Sequence, residues 1–232
     1  MSSSHMKRLS MPRSWPLTRK TDIWISRPRP SGHPIERCMA LGVVLRDVLG
    51  IAQSMREAKR ALATRRILVD GRVTTDMRRG VGVMDVLTVG DDHYRCVLDT
   101  NGKLRYAPIS AKEAAIKLCR IDGKTTIKGG VTQLNLHDGR NINVDDANKY
   151  NTMDSLVLDV DSQKIKKHHK FESGANCYLI GGSHIGSTAT MSEYVVKRSS
   201  KDNEVLFGDF GTIVDHVFVV GDVSLPLDEV NA

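Results

Sequence analysis

Residues 43–74 carry the most regular pattern of apolar and polar positions in the chain. The region opens with apolar side chains at the i, i+1, i+4 and i+5 spacing of one helical face: Val43, Val44, Val48 and Leu49. Gly50 follows directly, and glycine commonly ends a helix because it tolerates the left-handed conformation there. The pattern predicts a short amphipathic helix that stops at residue 49.

A second helix is predicted to begin at Ser54. Ser54 and Glu57 have capping-box spacing, in which the hydroxyl accepts an N–H of the first turn and the carboxylate reaches back. Beyond this start, Ala58, Ala61 and Leu62 lie on one side of the helix. That side is the expected buried face.

The opposite side of the second helix is basic. Arg56, Lys59 and Arg60 lie at i, i+3 and i+4, which places them next to one another. The apolar runs on either side of Asp70-Gly71 predict a hairpin, because both residues tolerate the positive φ of a type I′ turn. Small modules of this kind present a basic helix to structured RNA, which predicts RNA binding. The alternative is an ordinary solvated face.

The remainder of the chain predicts mostly short strands. Turn residues recur every 8–12 residues or so, at Asn101-Gly102, Asp122-Gly123, Gly129-Gly130 and Asp138-Gly139. The capping box Ser110-Ala111-Lys112-Glu113 predicts one helical segment over residues 111–117. The predicted fold class is therefore α+β, multidomain and β-rich, with a central β-barrel or sandwich.

Residues 1–40 read as a basic, proline-rich N-terminal arm with little regular structure. It contains both tryptophans, Trp15 and Trp24. These side chains can dock on the body of the protein or stack on nucleotides. We expect an arm that packs partly on the body and is completed by RNA. At the other end, residues 222–232 are predicted to form a mobile tail.

The distribution of charge supports binding of a polyanion through one end. Of the net charge of +7, residues 1–79 hold +11 and residues 80–232 hold −4. Such a split favours nucleic acid as the partner. A basic membrane helix is disfavoured by the five prolines of residues 7–34. We therefore predict RNA contacts by basic residues of the first third: Lys7, Arg8, Arg13, Arg19, Lys20, Arg46, Arg56, Lys59, Arg60, Arg65, Arg66 and Arg72.

Composition indicates a cytoplasmic globular protein. No run of about 18 apolar residues predicts a membrane span, and the N-terminus lacks the apolar stretch of a signal peptide. The cysteines Cys38, Cys96, Cys119 and Cys177 are isolated from one another. They are predicted to be reduced and mostly buried, since none has zinc-ligand spacing. No metal and no cofactor is expected.

Motifs for catalysis are weak. His184-Ile185-Gly186-Ser187 approaches the H-I-G-H signature of class I aminoacyl-tRNA synthetases, but it lies among short strands and no βαβ unit precedes it. His168-His169 stands in a lysine-rich run without a third ligand. No phosphate-binding loop or nucleophile elbow is present. The chain is therefore predicted not to be an enzyme.

Two segments resemble known modules. The helix–helix–hairpin at 43–74 resembles the S4-like RNA-binding module, which is found in ribosomal proteins and in several RNA enzymes. Residues 174–186 resemble the KOW motif, whose glycines form a tight loop on a small SH3-like barrel. The resemblance implies a loop that contacts RNA or protein: Gly181, Gly182, Ser183, His184 and Gly186.

The order of these modules behind such an arm resembles the archaeal and eukaryotic family of e-type small-subunit ribosomal protein four. Further matching motifs include Pro12-Arg13-Ser14-Trp15-Pro16, Val69-Asp70-Gly71-Arg72-Val73 and residues 133–141. The moderate length and the lack of an intein or extra domain favour an archaeal member. The expected division is residues 1–40 (arm), 41–93 (S4-like module), 94–170 (central β-rich domain), 171–221 (KOW domain) and 222–232 (tail).

The resemblance implies a structural constituent of the small ribosomal subunit. Its partners would be the ribosomal RNA of that subunit and neighbouring ribosomal proteins, with no membrane, and it would be monomeric off the ribosome. Two alternatives stay open: an RNA chaperone or transcription-associated KOW protein, and an RNA-modifying enzyme with an S4-like module. Against the enzyme, Gly71-Arg72-Val73-Thr74 and Gly139-Arg140-Asn141-Ile142 lack the catalytic Asp of the pseudouridine synthase motif.

Overall fold

The structure, a computed structural model, describes residues 5–227 and 230. Within these residues the chain is β-rich, with antiparallel strands in several sheets and few helices, as the sequence predicts. The strands up to residue 89 are β1 (His5–Lys7), β2 (Trp24–Ser26), β3 (Cys38–Ala40), β4 (Ile67–Val69), β5 (Arg72–Val73), β6 (Gly80–Gly82) and β7 (Val86–Val89). The helices are α1 (Leu41–Val43), its continuation as a π-helical turn Val44–Val48, α2 (Met55–Ala63) and α3 (Ala111–Ala114).

The later strands form the middle and the C-terminal parts of the chain. The middle strands are β8 (Asp92–Leu98), β9 (Leu104–Pro108), β10 (Ile116–Thr126), β11 (Thr132–Leu136), β12 (Asn141–Val144), β13 (Ser155–Asp159) and β14 (Ile165–His169). The last strands are β15 (Asn176–Leu179), β16 (Thr188–Thr190), β17 (Glu193–Val195), β18 (Glu204–Phe207), β19 (Phe210–Ile213) and β20 (Val217–Val219).

Two five-stranded sheets hold most of the strands, in the orders β5-β4-β7-β8-β9 and β12-β11-β10-β13-β14. The C-terminal part has two three-stranded sheets, β16-β15-β20 and β17-β18-β19, and β1-β2 and β3-β6 are separate ribbons. The expected division between residues 93 and 94 falls inside β8, because β8 pairs with β7 on one side and β9 on the other.

Two local predictions need correction. The helix expected over residues 111–117 ends at Ala114, because Ile116 already pairs with Asp159 of β13. Its capping box at Ser110 and Glu113 is confirmed. Asp122-Gly123 does not separate two strands but marks a register shift inside β10. Glycine inside a strand often marks such a bulge, where the strand bends.

The main hydrophobic core joins distant parts of the chain. It includes Trp15 of the arm, Leu62 of α2 and Tyr178 of β15. Alternation along the strands connects this core to the two smaller ones. In β15, for example, Tyr178 belongs to the main core whereas Cys177 and Leu179 belong to the C-terminal core.

The arm and the tail also contact the main core. Met6, Met11, Trp15 and Ile25 of the predicted arm are buried in it. Residues 222–227, where the mobile tail was predicted to begin, bring Val223, Leu225 and Leu227 against the same core. Residues 1–4 of the arm and residues 228, 229, 231 and 232 of the tail lie outside the described residues.

A fully buried lysine lies where the two five-stranded sheets meet. The Nζ of Lys117 in β10 is 2.8 Å from Asp70 Oδ2, 2.6 Å from Asp85 Oδ1 and 2.8 Å from Asp138 Oδ2. Arg140 adds ion pairs of 2.7 Å to Asp70 and 3.1 Å to Asp138. These five residues, here called the Lys117 cluster, connect the hairpin after α2 to the central sheet.

The arm is tied to the same cluster. His33 Nε2 lies 2.9 Å from Asp85 Oδ1, and both side chains are about as buried as the lysine. Backbone groups complete the cluster, since Gly82 N–H donates to Asp85 Oδ2 and Val86 N–H donates to Asp70 Oδ1. Buried polar groups need such partners to offset their desolvation.

The charges of the Lys117 cluster shift one another's pKa. Burial alone would lower the pKa of Lys117, but Asp70 and Asp85 outweigh it and hold this pKa well above its usual value. Burial acts to raise the pKa of Asp85, yet His33 and Lys117 keep it well below its usual value. For Asp70, burial and the neighbouring Asp85 prevail and raise the pKa.

We expect Lys117→Met to destabilise the protein by about 3–5 kcal/mol at pH 7, because it leaves buried carboxylates without their cation. Lys117 also keeps the pKa of Asp85 and of Asp138 low. Low folded pKa values stabilise the protein above about pH 4, and this effect is lost as the pH falls through them. The cost of the substitution should therefore shrink towards about pH 3. Urea unfolding at both pH values measures it.

The matched control is Lys112→Met, which removes an exposed lysine from α3. It should change the free energy of unfolding by no more than about 0.5 kcal/mol. A Lys117→Met cost that is small at pH 7, or that is equal at both pH values, contradicts the proposed role of the cluster.

Candidate nucleic-acid interface

Helix α2 is positioned by its cap and by two buried side chains. The Ser54 Oγ accepts from Glu57 N–H at 3.3 Å, as predicted, while Glu57 Oε2 accepts from the N–H of Gln53 at 2.8 Å. The capping carboxylate thus reaches one residue further back than a standard capping box. Ala58 and Leu62 are both 0% exposed and belong to the main core.

The opposite face of α2 carries Arg56, Lys59 and Arg60, all exposed. In the part of the chain that the structure describes, none of the three forms an ion pair. Three neighbouring cations on a fixed helix, without acidic partners, can pair with a row of phosphates. This basic face is the centre of the candidate interface.

The exposed basic edge continues from α2 into the hairpin. Arg65 has a left-handed backbone with φ of 60°, and both it and Arg66 are exposed before β4 begins. Asp70 and Gly71 have φ values of 51° and 73°, which confirms the predicted turn with two positive φ angles. Arg72 leaves this turn exposed.

Arg72 also borders a polar cavity of about 210 Å³. The cavity is lined by Arg79 and Arg140 beside the carboxylates of the Lys117 cluster. The sequence alone did not predict Arg79 and Arg140 as neighbours of Arg72. Its only signal was that Arg140 follows an Asp-Gly turn in a strand-rich region.

The basic residues of the arm fall into two groups. Lys7, Arg13 and Lys20 are exposed. Arg8 is different, since it is 5% exposed and its Nε donates to Thr18 O at 2.6 Å. The Arg8 guanidinium therefore holds the arm together and does not face solvent as the other candidates do.

Two other candidates are partly engaged with their own chain. Arg19 Nη1 donates to Leu9 O at 3.0 Å. Arg46 makes two hydrogen bonds of 2.8 Å to the carboxylate of Asp47. Each keeps part of its guanidinium accessible, because neither residue is fully buried.

The arm reaches this surface because it is docked on the body. Trp15 Nε1 donates to Cys38 O at 2.9 Å, and Leu104 N–H donates to Ser14 O at 2.7 Å. Trp15 is 1% exposed. The arm and α2 thus lie on one body, which brings the basic residues of both segments to a common scaffold.

The glycine-rich loop at 181–186 packs against its own chain. Gly182 and Gly186 have φ values of 83° and 81°. A Cβ on Gly186 would lie 2.4 Å from Asp99 O in the loop between β8 and β9. The glycine is therefore required both by its backbone conformation and by this close approach.

The tip of this loop is exposed. Ser183 and His184 both face solvent, and the His184 ring stacks on Phe210 with ring centroids 4.1 Å apart. Among the described residues, these two side chains are the part of the loop open to a partner.

Other chemistry is not assembled within residues 5–227. No group of three or more His, Cys, Asp or Glu side chains there is placed to hold a metal ion. The four cysteines are all buried and unpaired, and burial raises the pKa of Cys177 to about 12. No helix among the described residues is long and apolar enough to cross a membrane.

Comparisons with known proteins converge on one family. A family model described as "Ribosomal family S4e" matches residues 90–165, and one described as the "RS4NT (NUC023) domain" matches residues 2–36. The small ribosomal subunit protein eS4 of Methanocella arvoryzae is 39% identical over all of both chains. The eS4 protein of Methanosphaera stadtmanae is 42% identical over 95% of this chain and 93% of that protein.

A solved structure is similar as well. The crystal structure of the 30S ribosomal protein S4e from Thermoplasma acidophilum has a TM-score of 0.71 and 33% sequence identity. The match covers 80% of this chain and 95% of that chain. The described fold is therefore similar to an experimentally determined one.

We expect Leu62→Ala to lower the free energy of unfolding by roughly 2–5 kcal/mol, because the side chain is fully buried and its removal leaves a cavity. Leu9→Ala is the control, since Leu9 is 65% exposed. It should cost no more than about 0.5 kcal/mol. Equal costs in urea unfolding would contradict the assignment of the buried face of α2.

Proposed function

The chain belongs to the S4e family of small-subunit ribosomal proteins, and we propose from that premise that it binds ribosomal RNA mainly through the basic surface of residues 1–79. As a member of this family it is a structural constituent of the small ribosomal subunit and not an enzyme. The observation that carries the RNA proposal is the exposed face of α2, with Arg56, Lys59 and Arg60 free of acidic partners among the described residues.

The mechanism is phosphate binding by a rigid scaffold. Arg and Lys side chains neutralise phosphates and release condensed counterions, which supplies much of the affinity. Double-helical RNA is recognised mainly by shape, so base contacts would be secondary along a duplex. The proposed contacts are Lys7, Arg13, Arg19, Lys20, Arg46, Arg56, Lys59, Arg60, Arg65, Arg66 and Arg72. Arg8 is left out because it is buried.

The module arrangement is part of the proposal. Helices α1 and α2 with the β4–β5 hairpin would act as the S4-like module, and the sheets built from β15 to β20 as an SH3-like KOW barrel. The capped basic helix and the hairpin turn at Asp70-Gly71 support the first part. The glycine-rich loop after β15 supports the second.

The loop tip at Ser183 and His184 would contact RNA or a neighbouring ribosomal protein. Its exposure supports this role, since the glycines around it pack on the chain itself. Family membership supports a location in the cytoplasm on the ribosome. The described cores are filled from within one chain, which supports a monomer off the ribosome.

The first prediction from this proposal concerns salt. Replacing Arg56, Lys59 and Arg60 together by Ala should weaken binding to small-subunit ribosomal RNA and reduce the log–log salt slope by about 0.7–0.9 for each phosphate that is no longer neutralised. The melting temperature should change little, because all three side chains are exposed. Filter binding between about 50 and 200 mM salt measures both the affinity and the slope.

The control has the same change in net charge. Lys164, Lys170 and Lys201 are exposed lysines of the slightly acidic part, and their joint replacement by Ala should leave the salt slope nearly unchanged. If both triple variants lose the same affinity and slope, binding depends on net charge alone and α2 is not the interface.

The second prediction concerns the loop tip. Ser183→Arg combined with His184→Glu should impair incorporation into small subunits at an unchanged melting temperature, because both side chains are exposed. Gly186→Ala should instead lower stability by at least about 1–2 kcal/mol through its left-handed backbone. Reconstitution followed by sedimentation tests incorporation, and normal incorporation of the double variant would leave the loop with a purely structural role.

A further inference from the structure

The N-terminal ribbon of β1 and β2 presents a large aromatic side chain to solvent. Trp24 is 56% exposed, whereas Trp15, the other tryptophan of the chain, is 1% exposed. Docking of the arm on the body therefore explains Trp15 and leaves Trp24 unexplained. A tryptophan is costly to leave in water, since it is among the largest apolar side chains.

Trp24 lines a groove of about 370 Å³ between the ribbon and the start of α2. This volume is within the range of about 300–1,000 Å³ of small-molecule sites. The groove has apolar lining residues in Met6, Ile25 and Met55. Met6 pairs directly with Ile25 across the ribbon, and both are nearly buried. The groove can therefore hold a flat apolar group beside the indole.

The charged residues around the groove are all basic. Arg27, Arg46 and Arg78 line it, and no Asp or Glu is among its described lining residues. Asp47 lies outside the lining and orients the Arg46 guanidinium through two hydrogen bonds of 2.8 Å. Lys7 is the cross-strand partner of Trp24 and shares its face of the ribbon. This charge is complementary to an anionic partner.

We infer that this groove binds one unpaired nucleotide of the ribosomal RNA, with its base stacked on Trp24 and its phosphates paired with the surrounding Arg and Lys residues. The inference rests on the proposed RNA-binding function and adds a site for single-stranded RNA, separate from the phosphate contacts of α2. Aromatic platforms lined by cations are the usual means of holding unpaired bases.

Three full-length variants test the site. Trp24→Ala removes the aromatic platform, Trp24→Phe keeps one, and Leu9→Ala is a control that removes a similarly exposed apolar side chain from the same arm outside the groove. The probes are a single-stranded RNA of about ten nucleotides, within the usual site sizes, a blunt RNA duplex with the same number of phosphates, and small-subunit ribosomal RNA.

Trp24→Ala should bind the single strand between about fivefold and about 150-fold more weakly, the range found for removal of one stacking platform. Trp24→Phe and Leu9→Ala should stay within about threefold of the wild type, because a ring or the whole groove remains. Affinity for the duplex should be the same in all three variants, since a paired base cannot enter the groove.

Tryptophan fluorescence gives a readout that is independent of any change in affinity. The single strand should quench the emission of the wild-type protein, because a base stacks on the exposed indole of Trp24. The quench should disappear in Trp24→Phe, which still binds the RNA but retains only the buried Trp15. The duplex should quench neither protein.

The outcomes separate this site from the proposed function. If the wild type binds ribosomal RNA but Trp24→Ala equals Leu9→Ala with the single strand, or no quench occurs, the groove does not hold a base and a neighbouring protein becomes its expected occupant. If the wild type fails to bind ribosomal RNA at all, the proposed function itself is wrong.

Discussion

The buried ammonium group of Lys117 connects three turns that lie far apart in the sequence, and the rest of the structure depends on it. Its carboxylate partners come from the hairpin after α2 (Asp70), the turn before β7 (Asp85) and the turn after β11 (Asp138). A lysine without water is tolerated only when its charge is compensated. The hairpin beside the basic helix is therefore held at a defined position against the central sheet.

The basic surface of the first third also depends on where its few acidic residues are engaged. Five of the six in residues 1–79 have a partner within the protein: Asp22 with Arg8, Asp47 with Arg46, Glu57 with Gln53 N–H, Asp70 with Lys117 and Asp76 with Arg29. None of these acids pairs with the cations of α2. An excess of positive charge thereby becomes an uncompensated basic face, which is the form that attracts phosphates.

The N-terminal arm is part of the fold as well as part of the proposed interface. Trp15 docks it on Cys38, Arg8 closes it through Thr18, and His33 connects it to the Lys117 cluster. Because the arm is fixed in this way, the exposed Trp24 stands at a defined distance from the start of α2. A groove for an unpaired base can then be built without any element dedicated to it.

Local signals in the sequence determined the capped helix at Ser54, the hairpin at Asp70-Gly71, the β-rich class and, through contiguous motifs, the family. Only the tertiary structure decided that Arg8 is buried, that Trp24 is exposed, and that Lys117 lies at the centre of the molecule. Periodicity and turn chemistry act over a few residues and are legible in one segment. Lys117 is separated from Asp70 by 47 positions and from Asp85 by 32, and the burial of a charge depends on what such distant segments place around it, which no local pattern encodes.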